Sequence, residues 1–328
     1  MGLSEHADLE RRRLRRERQR AARRRRRRAA LVAVVALVGA VAVVGVATVL
    51  EQGGRSPRAL AAAPLVVVSA PRPAVRTRPQ PRTHVSAAAR ARSRNAGVPI
   101  LMYHVIASPF PTSPYPGLYV PPVEFRAQMI ALAAAGYRAV TLDLVRAAWH
   151  GRAVLPAKPI VISFDNGYRT QYTQALPILR RLGWVGVENL QLTGLPPRQG
   201  GLDQREVRAL VAAGWELDTQ GYSHADLVAL DPQQVHFQVA VTRRRLQRLY
   251  GVPVNWFCYP SGRYDAGLVA AVQAAGFVGS TTVVPGWARS TDNPYELPRL
   301  RVLGGTSPRA LLAQVADAAD APPPPASY

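Results

Sequence analysis

The chain has 328 residues, 48% of them hydrophobic and only 19% charged, which excludes a disordered or fibrous polymer and requires at least one buried core. A single cysteine, Cys258, excludes an intramolecular disulfide framework and any zinc site built on cysteine clusters. The formal net charge of +22 points to nucleic acid or an acidic surface only until its distribution along the chain is followed.

Residues 1–28 hold 13 Arg against four acids and form a predicted Arg-rich cytoplasmic segment. Residues 29–50 then run without a charge or a proline. At 1.5 Å per residue such a helix spans about 33 Å, enough for a bilayer core, so a transmembrane helix is predicted. Arg23–Arg28 abut the apolar run directly whereas Glu51 follows it, which places the amino terminus inside. A cleaved signal peptide is the competing reading, disfavoured by the length of the run and of its basic lead. The expected localisation is therefore the cell membrane, single-pass, with the bulk of the chain extracytoplasmic. A basic run flush against a span sets topology and meets anionic headgroups, so no nucleic-acid partner is expected. Residues 51–96, rich in Pro, Ala and Arg, predict a flexible stalk, and residues 321–328, containing Pro322–Pro325, a disordered tail.

The texture changes over 97–320, where the charge is nearly balanced. Candidate strands cover 98–105, 137–142, 159–165, 185–192, 215–220, 254–259, 277–282 and 300–303, with helices over 123–135, 172–182, 203–213, 232–250 and 266–275. Several helices end at Gly136, Gly183, Gly214, Gly251 or Gly276, the residue suited to a left-handed C′ position. Alternating β and α units predict a barrel or an open α/β sheet, and in a barrel the chemistry belongs at the C-terminal ends of the strands.

Those ends read Met102-Tyr103-His104, Ser163-Phe-Asp-Asn-Gly-Tyr168, Asp218-Thr-Gln-Gly-Tyr-Ser-His224 and Phe257-Cys-Tyr-Pro-Ser-Gly262. Together with Val98-Pro-Ile-Leu-Met-Tyr-His104, Gly214-Trp-Glu-Leu-Asp218 and Leu297-Pro-Arg299, they give a domain that resembles the polysaccharide deacetylases, the NodB-homology proteins of carbohydrate esterase family 4, over most of 98–302. The resemblance implies a distorted (β/α) barrel that removes N-acetyl groups from amino sugars with a divalent metal, zinc or similar, held by one aspartate and two histidines. It implies Asp165 as the base, His104 as the acid that protonates the leaving amine, and the Ser261 N–H as the oxyanion donor. The implied metal positions are degenerate: Asn166 stands for the aspartate and Gln220 for the first histidine, and only His224 is retained. Neutral amide oxygens suit hard cations but are poor ligands for zinc. Two such replacements are expected to cost roughly 100- to 10,000-fold in affinity or activity.

Asp218 shares a strand face with Gln220 and is either a substitute ligand or a hydrogen-bonding residue near the strand end. Cys258 occupies a position where other members carry a base-orienting arginine, and Arg299 matches the late arginine implied to support the base. Tyr259 and Trp287 are the candidate sugar contacts, Trp287 as a stacking platform or as a loop anchor. Two functions are expected from this pattern. One is membrane-anchored hydrolysis of non-peptide carbon–nitrogen bonds on an N-acetylated cell-envelope polysaccharide. The other is glycan binding by a catalytically inactive pseudoenzyme.

Overall fold

The computed structural model describes residues 86–193, 195, 200–325 and 327–328. The predicted cytoplasmic segment, the span at 29–50 and most of the stalk lie outside the described residues. Among the described residues no helix is long and apolar enough to cross a membrane.

Nine strands form one sheet: β1 (Val98–Tyr103), β2 (Tyr137–Ala139), β3 (Lys158–Asn166), β4 (Val187–Leu190), β5 (Glu216–Thr219), β6 (Trp256–Cys258), β7 (Gly279–Thr281), β8 (Trp287–Ala288) and β9 (Leu300–Arg301). Parallel pairing runs from β1 through β3, β4, β5 and β6 to β7. β2 adds to the start of β3, β9 runs parallel to β1, and β8 is antiparallel to the start of β1. The segment leading into β9 joins the far edges. Leu297 N–H donates to Ser280 O, and Thr282 and Arg299 N–H donate to Leu297 O and Val284 O, while Val302 N–H donates to Met102 O. The curled sheet is thus the expected distorted (β/α) barrel.

Strand alternation divides the core. Ile160, Ile162 and Phe164 face outward and pack with Phe125, Leu179 and Leu311 of the surrounding helices. Val161 packs inside with Val98, Ile100, Val187, Trp256 and Leu297. Above that apolar layer the inward positions become polar, with Ser163 and Asp165 on β3 and Asn189 on β4. The covering helices are α1 (Ala87–Arg94), α2 (Pro122–Ala134), α3 (Leu142–Trp149), α4 (Leu176–Arg181), α5 (Gln204–Ala212), α6 (Pro232–His236), α7 (Thr242–Tyr250), α8 (Ala266–Ala274) and α9 (Pro308–Asp317).

The structure departs from the sequence expectation at identifiable caps and turns. The strand expected over 137–142 stops at Ala139, because the Thr141 hydroxyl accepts the Leu144 N–H at 3.1 Å and starts α3. A π-type turn at Gln171–Ala175 precedes α4, and another at Phe237–Val241 interrupts the helix expected over 232–250. The end of the expected stalk is helical and docked: Ser93 of α1 is buried and accepts the Leu155 N–H at 3.0 Å, and Trp149 Nε1 donates to Ala96 O at 2.8 Å. In the expected disordered tail, Tyr328 exchanges two backbone hydrogen bonds with Tyr264.

Gly279 on β7 lies where a side chain has no space, since a Cβ there would overlap the Trp256 ring and the Pro294 carbonyl oxygen. Gly279→Ala is expected to lower unfolding free energy by about 2–3 kcal/mol at an unchanged denaturant slope, measured by urea unfolding followed by tryptophan fluorescence.

Candidate functional site

Asp165 ends β3 and is 1% exposed. Its carboxylate is gripped from three sides. Arg299 donates Nη1 to Oδ1 at 2.7 Å and Nη2 to Oδ2 at 2.9 Å, and Asn189 Nδ2 donates to Oδ1 at 2.8 Å. The guanidinium is fully buried and also donates to Thr282 O and Ser163 Oγ, so two further contacts fix its orientation. Burial pushes the Asp165 carboxyl up, but the Arg299 charge and hydrogen bonds, with His104 and Asn189 adding, hold its pKa at about 2. The guanidinium that the sequence lacks at position 258 is delivered by position 299, and it reaches Cys258 Sγ at 3.2 Å on the way. Burial pushes the Cys258 thiol up to about 12, so it is a small buried partner rather than a nucleophile.

His104 follows β1, with Nε2 3.9 Å from Asp165 Oδ2. Burial lowers its pKa to about 4; Asp165 opposes the shift, while Arg299, Arg301 and His224 add to it. The imidazole is therefore neutral near pH 7, and its buried Nδ1 has no protein partner among the described residues. Gln171, in the first π-type turn, ties the two strand ends together, donating Nε2 to His104 O at 2.9 Å and to Asp165 O at 2.8 Å. Gln238, in the second, accepts the Tyr222 and Ser223 N–H groups at 3.0 Å each and holds the loop that carries His224. Neither glutamine was singled out in the sequence, because their roles depend on π turns that helical periodicity does not distinguish.

The positions implied for a metal form a hydrogen-bonded amide cluster. Asn166, in a left-handed backbone conformation at φ 77°, donates Nδ2 to Gln191 Oε1 at 2.8 Å and to Gln220 Oε1 at 2.9 Å. Gln191 donates onward to Thr193 O at 2.8 Å. The Asn166 nitrogen thus presents protons, and the Gln220 oxygen is already an acceptor. Only His224, which is exposed, offers an imidazole. Among the described residues no group of three His, Cys, Asp or Glu is arranged to hold a metal. This donor set does not fit a hydrolytic divalent ion. Asp218 does not repair it: its Oδ1 accepts the Trp256 and Asn255 N–H groups at 2.8 and 3.2 Å where β6 begins, and it does not line the cavity. Burial pushes the Asp218 carboxyl up to about 7.

These groups surround an open cavity of about 500 Å³, lined by His104, Asp165, Asn166, Gln191, Gln220, His224, Ser261 and Arg301. Ser261 has φ 56°, a strained turn enforced by Gly262, where a Cβ would run into Val283. Tyr259 borders the cavity, but its ring is buried and stacked on Tyr264 and its hydroxyl donates to Tyr295 O at 3.0 Å, so it is a wall rather than a platform. Trp287 is not a sugar platform at all. It pairs with Pro99 at the start of β1, and its Nε1 donates to Val315 O at 2.7 Å, which anchors α9. Among the tyrosines that line the cavity, Tyr115 is the most exposed, at 78%, on the loop after β1; its place after Pro114 and before Pro116 was the available signal.

Residues 152–280 match the family model described as polysaccharide deacetylase. The chain carries a polysaccharide deacetylase domain. It is 27% identical over 220 residues to the "Putative polysaccharide deacetylase YxkH" of Bacillus subtilis (strain 168), covering 67% of this chain and 76% of that protein. A shorter match of 62 residues, 39% identical, covers 19% of this chain and 9% of the poly-beta-1,6-N-acetyl-D-glucosamine N-deacetylase of Escherichia coli (strain K12). The fold of this polysaccharide deacetylase domain is shared with the Streptococcus pyogenes deacetylase PplD in complex with acetate, at a TM-score of 0.62 and 23% identity, covering 67% of this chain and 99% of that one.

His104 is lowered in the folded state, so its contribution to stability is complete above the unfolded value near 6.5 and is lost as pH falls toward about 4. The difference between the unfolding free energies of the wild type and His104→Gln is expected to change by about 3 kcal/mol across that window, with the wild type losing stability as acid is added. Paired urea titrations at pH 4, 5, 6 and 7 check it.

Proposed function

We propose that this protein is a membrane-anchored, extracytoplasmic glycan-binding member of the polysaccharide deacetylases, whose cavity receives the N-acetyl group of a cell-envelope polysaccharide without metal-driven hydrolysis. The observation that carries this reading is the Asn166–Gln191–Gln220 amide cluster at the positions implied for the metal. An acetamido group has one N–H donor and one carbonyl acceptor, and amides, a neutral imidazole and backbone N–H groups recognise both without desolvating an ion. Asn166 and Gln220, the His104 imidazole and the Ser261 N–H supply that recognition, and Tyr115 stacks on the sugar ring. Asp165 orders the wall while remaining a weak base, since water loses little of its proton to a carboxylate with a pKa of about 2. The similarity to a relative named for poly-beta-1,6-N-acetyl-D-glucosamine supports an N-acetylated polymer as the ligand class. Residues 29–50 as a span and the arginines before them support the anchored topology.

The second reading, hydrolysis, rests on the Asp165–Arg299 pair, which sets a base, and on His104, which faces it at 3.9 Å. The two readings separate in one titration set. Full-length protein in detergent is expected to bind an N-acetylglucosamine hexamer with the same affinity before and after EDTA treatment and to release no acetate from it. Tyr115→Ala is expected to weaken that binding by about 3- to 10-fold. Chelator-sensitive acetate release by the wild type would replace the binding reading with the hydrolytic one. As a companion measurement, Asn166→Asp/Gln220→His is expected to acquire one equivalent of zinc by elemental analysis, while the wild type stays bare.

A further inference from the structure

One cavity residue is explained neither by the acetamido recognition above nor by packing. Arg301, on β9 beside Met102, lines the cavity with its side chain exposed, and among the described residues it makes no ion pair. Among the described residues its side chain makes no hydrogen bond, while its backbone pairs with β1 and its carbonyl accepts from Gln314 Nε2 at 3.0 Å. An arginine is normally matched by a carboxylate or solvated away from other cations. Here the surroundings are of the same sign or neutral. His104 and His224 share the cavity with it, and the Asp165 carboxylate is already neutralised by the bidentate, fully buried Arg299. Asp226, the acid two residues after His224, is tied to Arg263. Among the described residues, Arg301 is therefore an uncompensated positive charge at the cavity wall.

We infer that Arg301 is an anion subsite and that the glycan this domain takes carries a carboxylate on, or next to, its N-acetylated sugar. The inference rests on the glycan-binding reading and narrows its ligand class. A single free guanidinium matches a monoanion, and its planar fork fits a carboxylate in two hydrogen bonds; a phosphate dianion would leave a charge unmatched. The same charge opposes a free amino sugar, whose ammonium would meet Arg301 without any unpaired carboxylate to hold it.

A matched pair of probes differing only in that charge tests this. Full-length protein in detergent is titrated calorimetrically with an N-acetylglucosamine–N-acetylmuramic acid tetrasaccharide and with the same compound as its carboxyl methyl ester. The free acid is expected to bind about 10- to 100-fold more tightly than the ester, the range of a charge-assisted contact. Arg301→Gln is expected to abolish that preference while retaining ester binding, Arg301→Lys to keep part of it, and Arg309→Gln on α9 to leave it intact. Equal binding of acid and ester by the wild type, or a preference that survives in Arg301→Gln, overturns the anion subsite and leaves the glycan-binding reading standing. Failure of both probes and of the N-acetylglucosamine hexamer to bind overturns that reading and the subsite with it.

Discussion

The Asp165–Arg299 ion pair is the constraint on which the rest of this domain depends. Both side chains are withdrawn from water, so each would cost several kcal/mol to bury alone, and only the fork geometry with its added hydrogen bonds offsets that cost. Because such a pair is roughly neutral for stability relative to an apolar replacement, its effect lies in what it forbids. A one-residue slip of β3 or of the segment 297–301 would leave a buried charge unmatched, a penalty of about 3–5 kcal/mol. Arg299 further contacts the Thr282 carbonyl, Ser163 and Cys258, so one guanidinium sets the register of β3, β6 and the stretch after β7 at once. The barrel closes where it does because that arginine has one place to go.

The pair also determines what the cavity can do. A carboxylate clamped this firmly stays ionised and is a weak base toward water. Its negative charge is consumed by Arg299, so it does not hold a proton on His104, which burial keeps neutral. Around this fixed wall the other functional positions are set by loops whose own anchors are polar and buried: Gln171 behind His104 and Asp165, Gln238 behind the His224 loop, and the Ser261 turn pressed against Val283. The result, among the described residues, is a pre-organised surface of neutral donors and acceptors with the free Arg301 cation at its edge.

Much of this was legible in the sequence. Strand positions and helix ends followed from apolar runs broken by glycines, and Asp165, His104 and Ser261 sit together where their strand-end motifs placed them. What escaped was tertiary. Asn189 lies on β4 and Gln191 directly after it, in a stretch with no motif of its own, and they matter only because β4 packs beside β3 in parallel register. Arg299 could be placed near the base by resemblance, but its replacement of the arginine expected at 258 required seeing that Cys258 is small enough to let the guanidinium pass. Trp287 failed as a sugar contact because it belongs to a two-residue antiparallel pairing at the opposite end of β1, too short to leave a periodic signal. The extra strand length expected at 140–142 ignored Thr141 as a cap.

The chemistry of the replaced metal positions argues against simple decay. Loss of ligands to apolar side chains would have filled or collapsed the upper barrel, as the layer below is filled by Val161, Val187 and Trp256. Asn166 and Gln220 instead keep polar atoms in place and, with Gln191, leave the two Asn166 donor bonds satisfied, so the cluster costs little to bury and needs no ion to be stable. A cation there would have to compete with the Asn166 N–H for the Gln220 oxygen and would sit in a field made more positive by Arg301. An amide or a carboxylate meets no such opposition. Under the proposed reading, the same arrangement that does not fit a hydrolytic metal suits an acidic, N-acetylated sugar, and the two properties follow from one set of side chains.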